Sequence, residues 1–161
     1  DDGSCIAVVL GCMDDTACNY NELANTDDGS CDFGPWGEPF STDCNMTVLL
    51  SPEYMTITVE GEVPTDPIWI GAFNGNGLCV GSTYYTPGEV NSVSVWGAEA
   101  GENNGMAAGE EITWAVFYNG EQISATIVTT FGSNQYECNG LTGIAVLDAV
   151  SIYTQQISYI K

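Results

Sequence analysis

The sequence has no histidine and one basic residue, Lys161, against 22 acidic ones, which leaves a formal net charge of −21 at pH 7. Each shortage excludes a chemistry. Phosphate backbones are held by Lys and Arg, so nucleic-acid binding is excluded. An anionic membrane surface repels such a chain. Without histidine there is no Ser-His or Cys-His nucleophilic pair. With one lysine and no arginine, phosphoryl transfer lacks its cationic clamp. The remaining catalytic option is a carboxylate pair of the glycosidase kind, Glu110–Glu111 or Glu99 with Glu102. Acids on loops are ordinarily solvated, so the expectation is a protein that is not an enzyme. No apolar run reaches membrane-spanning length, and membrane insertion is not expected. The first residues have neither a basic start nor an apolar stretch of signal-peptide type, so the chain reads as mature or as cut from something longer.

What is present points elsewhere. Hydrophobic residues make up 44% of the 161, enough for a real core in one β-sandwich or two small units. Seven cysteines suggest an oxidising compartment. The acids suit divalent cations, or solubility in salty water, or repulsion between neighbours until metal bridges them.

The pentapeptide DDGSC occurs at 1–5 and again at 27–31, closing the stretch GCMDDTACNYNELANTDDGSC at 11–31. Residues 1–33 therefore read as the end of a tandem array, with a half copy at 1–5, an apolar spacer IAVVLG and a full copy at 11–31. The Gly- and Pro-rich stretch at 34–43 reads as a linker. From 44 to 161 the texture is that of strands: MTVLL, EYMTITVEG, PIWIGAF, LCVGSTYY, NSVSVWG, EITWAVFYNG, EQISATIVTTF and GIAVLDAVSIY. Ile112, Trp114, Val116 and Tyr118 alternate with period two. Asn119-Gly120 is a type I′ hairpin signal, and FNGNGL at 73–78 marks a second hairpin. The fold class expected is all-β, an antiparallel β-sandwich of about seven to nine strands preceded by a small irregular unit.

A bridge between Cys12 and Cys31 would close a loop of about twenty residues and contribute roughly 3 kcal/mol in the chain-entropy model. A unit with almost no core needs such a staple. Inside the loop, Asp14, Asn19, Asn21, Asp27 and Asp28 offer hard oxygen ligands of the kind Ca2+ takes. The competing explanation is that Asp-Asp-Gly-Ser and Asn-Tyr-Asn are turn formers closed by their own side chains. The order is not that of an EF-hand, and Zn2+ is disfavoured by the missing histidine and C-x-x-C spacing.

The stretch resembles a short repeat, G-C-T-D-x-x-A-x-N-Y-N-x-x-A-x-x-D-D-G-S-C, found in tandem in secreted and surface proteins of Bacteroidetes, many exported by the type nine secretion system. Gly11, Cys12, Asp14, Ala17, Asn19, Tyr20, Asn21, Ala24, Asp27, Asp28, Gly29, Ser30 and Cys31 match it, while Met13 and Asp15 depart. The resemblance implies a Ca2+-stiffened stalk or spacer on a large extracellular protein. In that repeat the position of Cys18 is often not cysteine, which implies Cys12–Cys31 as the constant bridge and leaves Cys18 to pair with Cys5. Asp15-Thr16-Ala17 resembles the O-glycosylation pattern of the same bacteria, marking Thr16. Residues 44–150 resemble a module of the same kind of protein through Trp69-Ile70-Gly71-Ala72-Phe73, Cys79-Val80-Gly81, Val95-Trp96-Gly97, Ala108-Gly109-Glu110 and Asn139-Gly140-Leu141. That likeness implies an extracellular or cell-surface location rather than an activity.

Two functions compete. One is a structural or adhesive module of a cell-surface or filament-forming repeat protein, associating with itself or with neighbouring modules. The other is a glycan-binding sandwich, for which Trp69, Tyr84 and Tyr85 are the contact candidates. Since Tyr84 and Tyr85 are adjacent in a strand, one ring lies on each face. For the sandwich, Cys44 stands at the start of the first strand and Cys138 just before the last. In an immunoglobulin-like arrangement those strands run parallel as neighbours, so Cys44–Cys138 is expected and Cys79 is left as a buried free thiol. The alternative pairing is Cys79–Cys138, with Cys44 reaching back to the repeat.

Overall fold

A computed structural model of the chain divides into two compact units, Asp1–Glu38 and Pro39–Lys161. The structure describes residues 7–15, 17, 19–37 and 41–152. The division falls inside the 34–43 stretch read as a linker.

The first unit is built from turns. Its strands β1 (Leu10–Gly11) and β2 (Thr26–Asp27) form a two-residue parallel pair. The Asn25 side chain extends this pair, accepting from Val9 N–H (2.9 Å) and donating to the Ala7 carbonyl (2.9 Å). Gly11 is needed where it stands, because a Cβ there would come within 2.9 Å of the Asn21 amide. Cys12 and Ala17 are its buried apolar side chains among the described residues, so the Cys12–Cys31 bond, with a Cα separation of 4.7 Å, holds the loop closed.

The second unit follows from the alternation in its sequence. Its strands are β3 (Asn45–Leu50), β4 (Thr56–Val59), β5 (Ile68–Phe73), β6 (Cys79–Tyr85), β7 (Asn91–Trp96), β8 (Thr113–Tyr118), β9 (Glu121–Phe131) and β10 (Leu141–Ala149). The sheet order is β6-β5-β8-β9-β10-β3-β7, with β4 beside β10. Period-two positions such as Met46, Val48 and Leu50 in β3, or Trp114 and Val116 in β8, point into one core. Burying a side chain such as Ile70 completely contributes roughly 1.5–3 kcal/mol.

Asn119 (φ 50°) and Gly120 (φ 84°) both adopt the left-handed conformation that the type I′ turn requires. In the β5–β6 hairpin, buried Asn74 closes the turn itself. Its Oδ1 accepts from Asn76 and Leu78 N–H, both at 3.0 Å, and its Nδ2 donates to the Gly105 carbonyl at 3.0 Å.

The expectation of an antiparallel sandwich needs one correction. β10 runs parallel to both β3 and β4, because β3 and β4 lie end to end along the same side of it. The two layers are also continuous. β9 is 11 residues long; it pairs with β8 through its first half and with β10 through its second, and Ala125 faces Trp114 on one side and Ala149 on the other. The sheet therefore turns a corner at Ala125 and rolls into a form between sandwich and barrel. Its two ends meet where β6 passes β7, and a Cβ at Gly81 would overlap the Ser94 carbonyl.

Cys44 and Cys138 are bonded, with a Cα separation of 5.6 Å, next to the parallel register Leu141↔Thr47. The pairing places both strand starts at one end. Tyr136 donates its hydroxyl to the Cys44 carbonyl at 3.0 Å. Cys79 is a free thiol as expected, but half-buried rather than buried, because it lies at the mouth of the β5–β6 turn. Burial raises its pKa, opposed by a bond to the Gly81 carbonyl.

Candidate functional site

Two regions carry the candidate residues. In the stapled loop, the oxygen donors are placed by local turns. Asp27 Oδ1 accepts from Gly29 N–H and Asp28 Oδ1 from Ser30 N–H, each at 3.0 Å, giving two consecutive Asx turns over Gly29 at φ 73°. Asn19 clamps the loop's end, donating to the Ser30 carbonyl (2.6 Å) and accepting from Asp32 N–H (2.8 Å). Asn21 Oδ1 accepts from Leu23 N–H at 3.1 Å, and the Asp14 carbonyl accepts from Ala17 N–H at 3.2 Å. The Ser30 hydroxyl, then its N–H, stabilises the Asp28 carboxylate and holds its pKa below the ordinary value. These donors have the chemistry Ca2+ prefers. In the arrangement described, however, they serve turns, and no three acidic, cysteine or histidine side chains among the described residues are grouped around a common point. Thr16, Cys18 and Cys5 lie outside the described residues.

The second region is an aromatic row on the sheet. Trp69 of β5 lies opposite Tyr84 of β6 on one side and opposite Phe117 of β8 on the other. The Trp69 and Tyr84 rings are 5.1 Å apart and tilted by 51°, and Tyr84 is 41% exposed. Tyr85 faces inward and is 5% exposed, so it is core rather than a contact residue. Phe117 escaped the sequence reading. The signal that would have found it is the Asn119-Gly120 turn, which fixes Tyr118 opposite Glu121 and Phe117 opposite Gln122. Gln122 also lines a groove of about 570 Å³ along β8 and β9, with Thr113, Ser124 and Thr126 adding hydroxyls.

Comparison with known protein families, curated proteins and solved structures gives no match. The local geometry is the guide to chemistry. Of the carboxylates considered for catalysis, Glu110 has both oxygens in structural bonds, accepting from Gly75 N–H (2.7 Å) and Ala107 N–H (2.8 Å). It ties the β5–β6 hairpin to the loop before β8. Glu99 Oε2 accepts from Asn104 at 3.4 Å, within its own loop.

Proposed function

We propose that this chain is a non-enzymatic extracellular module, structural or adhesive, of a cell-surface or filament-forming repeat protein. The observation that supports this reading best is the parallel pairing of the first and last strands of the sheet beside the Cys44–Cys138 bond. The backbone enters the unit at the end where β3 begins and leaves at the end where β10 finishes. That is the in-line path a serial module needs. A separate disulfide closes the smaller unit, and an oxidising location accounts for both bonds. No helix among the described residues is long and apolar enough to cross a membrane.

Ca2+ completes the proposal: it stiffens the loop through Asp14, Asn19, Asn21, Asp27 and Asp28, and it bridges neighbouring acidic copies. Sedimentation of the purified chain with millimolar Ca2+ and with EDTA tests this. Ca2+-dependent ordered self-association is the expected result. A chain that stays monomeric at high concentration with Ca2+ present overturns it.

A second reading has its own observation. The Trp69–Tyr84 pair presents aromatic surface beside a hydroxyl-lined groove, the combination sugars use for stacking and hydrogen bonding. Glycan-array binding that is lost in Trp69→Ala would favour it over self-association.

A further inference from the structure

The short strand β4 has a neighbour on one side alone. It pairs with β10 through Thr56–Val59. On the other side, β7 begins at Asn91, opposite Leu50, and does not extend past β3 to reach β4. The ladder direction is set by Glu60 N–H, which donates to the Ala149 carbonyl at 2.8 Å. Thr58 and Thr56, two and four residues back, therefore also face β10, while Ile57 and Val59 direct their backbone groups away from it. Val59 spends both of its groups on Glu62. Ile57 presents its N–H and C=O to the open side.

Against this open side lies an apolar groove of about 310 Å³, lined by Pro52, Ile57, Val63, Pro64, Tyr85 and Pro87. Val63 is 66% exposed and nearby Val90 is 64% exposed. Apolar side chains that far into solvent, beside an uncovered strand edge, are the features that accept an added strand: backbone groups supply register and a pocket takes alternate side chains. The rim is acidic, since exposed Glu53, Glu62 and Glu89 each adjoin a lining residue.

We propose that the β4 edge binds an extended peptide segment of another protein, apolar at alternate positions and flanked by Lys or Arg. The charge decides against a second copy of this chain, which would bring 22 acidic residues and one basic residue to an acidic rim. The proposal does not depend on the serial-module reading.

The test is NMR titration of the isotope-labelled full chain in EDTA, where no metal bridges acidic surfaces. Two synthetic heptapeptides, Lys-Thr-Val-Thr-Val-Thr-Lys and Glu-Thr-Val-Thr-Val-Thr-Glu, serve as probes. The Lys-flanked peptide should shift the amides of Ile57, Val63, Tyr85 and Gly88 saturably and slow exchange at Ile57. The surface double variant Glu62→Lys with Glu89→Lys should weaken it roughly fivefold and favour the Glu-flanked peptide. Shifts confined to another face, equal binding of both peptides, or no shift at millimolar peptide would overturn the proposal. So would concentration-dependent self-association in EDTA that moves the same amides.

Discussion

The two units solve one problem by opposite means. Both are closed by a disulfide, but the first has little besides Cys12 and Ala17 to bury, while the second surrounds Ile68, Ile70, Val93, Val116, Ile144 and Leu147 with a rolled sheet. In the first, the bond substitutes for a core. In the second, it is added to one. The same covalent device should therefore have different consequences when it is removed.

The sharpest way to break this contrast is to replace Cys44 and Cys138 together by serine. The sequence separation of 94 makes this the larger entropic constraint, and its loss should lower the stability of the sheet by about 4–5 kcal/mol. The β-sheet circular dichroism at 25 °C should nevertheless persist, because the core is untouched. Denaturant titration measures the first effect and the spectrum the second. Loss of the sheet in the variant would mean that the core alone does not hold it.

The corresponding Cys12→Ser with Cys31→Ser variant removes a smaller constraint, about 3 kcal/mol over a separation of 19. The structural outcome should be more complete. Amides of residues 19–37 should collapse to random-coil shifts and become protease-sensitive, while those of 45–149 stay dispersed. An intact first unit in this variant would show that its turns hold without the bond.

The smallest effect concerns Asp28. Its pKa is lowered in the folded state, so the stability it contributes is present above the unfolded carboxylate value and lost as pH falls through the folded one. Ser30→Ala should raise the Asp28 pKa toward the ordinary value, detectable by carboxyl-carbon NMR titration. No change would assign the lowering to some other neighbour.

Much of the second unit was legible. All eight strands coincide with runs rich in Val, Ile, Thr and Tyr, because a half-buried pleat demands that alternation. The Asn119-Gly120 turn was readable because two successive left-handed residues leave few alternatives. The corner at Ala125 was not. A strand that serves two layers has the same period as one that serves a single layer, so EQISATIVTTF gives no sign of dividing its partners. The one-sided β4 was equally hidden, since its vacancy depends on where β7 begins. In the first unit the matched repeat marks the bridge and the Asp-Asp-Gly-Ser turn. The arrangement of the donors was beyond its reach, because Asx turns and cation ligation ask for the same residues.

The Cys44–Cys138 bond also determines what the sheet does under tension. A pull arriving along the backbone at Cys44 crosses covalently to Cys138, so the chain between them is taken out of the load path. The pull then runs along β10, whose exit lies at the opposite end of β3. Its ladder bonds to β9, β3 and β4 lie across the pull and must yield together rather than unzip singly. If they yield, the extension is limited to the residues from Cys138 to Ala149, roughly 40 Å of contour. Most of the core strands lie outside that path, so the sheet could give a little length and still have a template on which to recover.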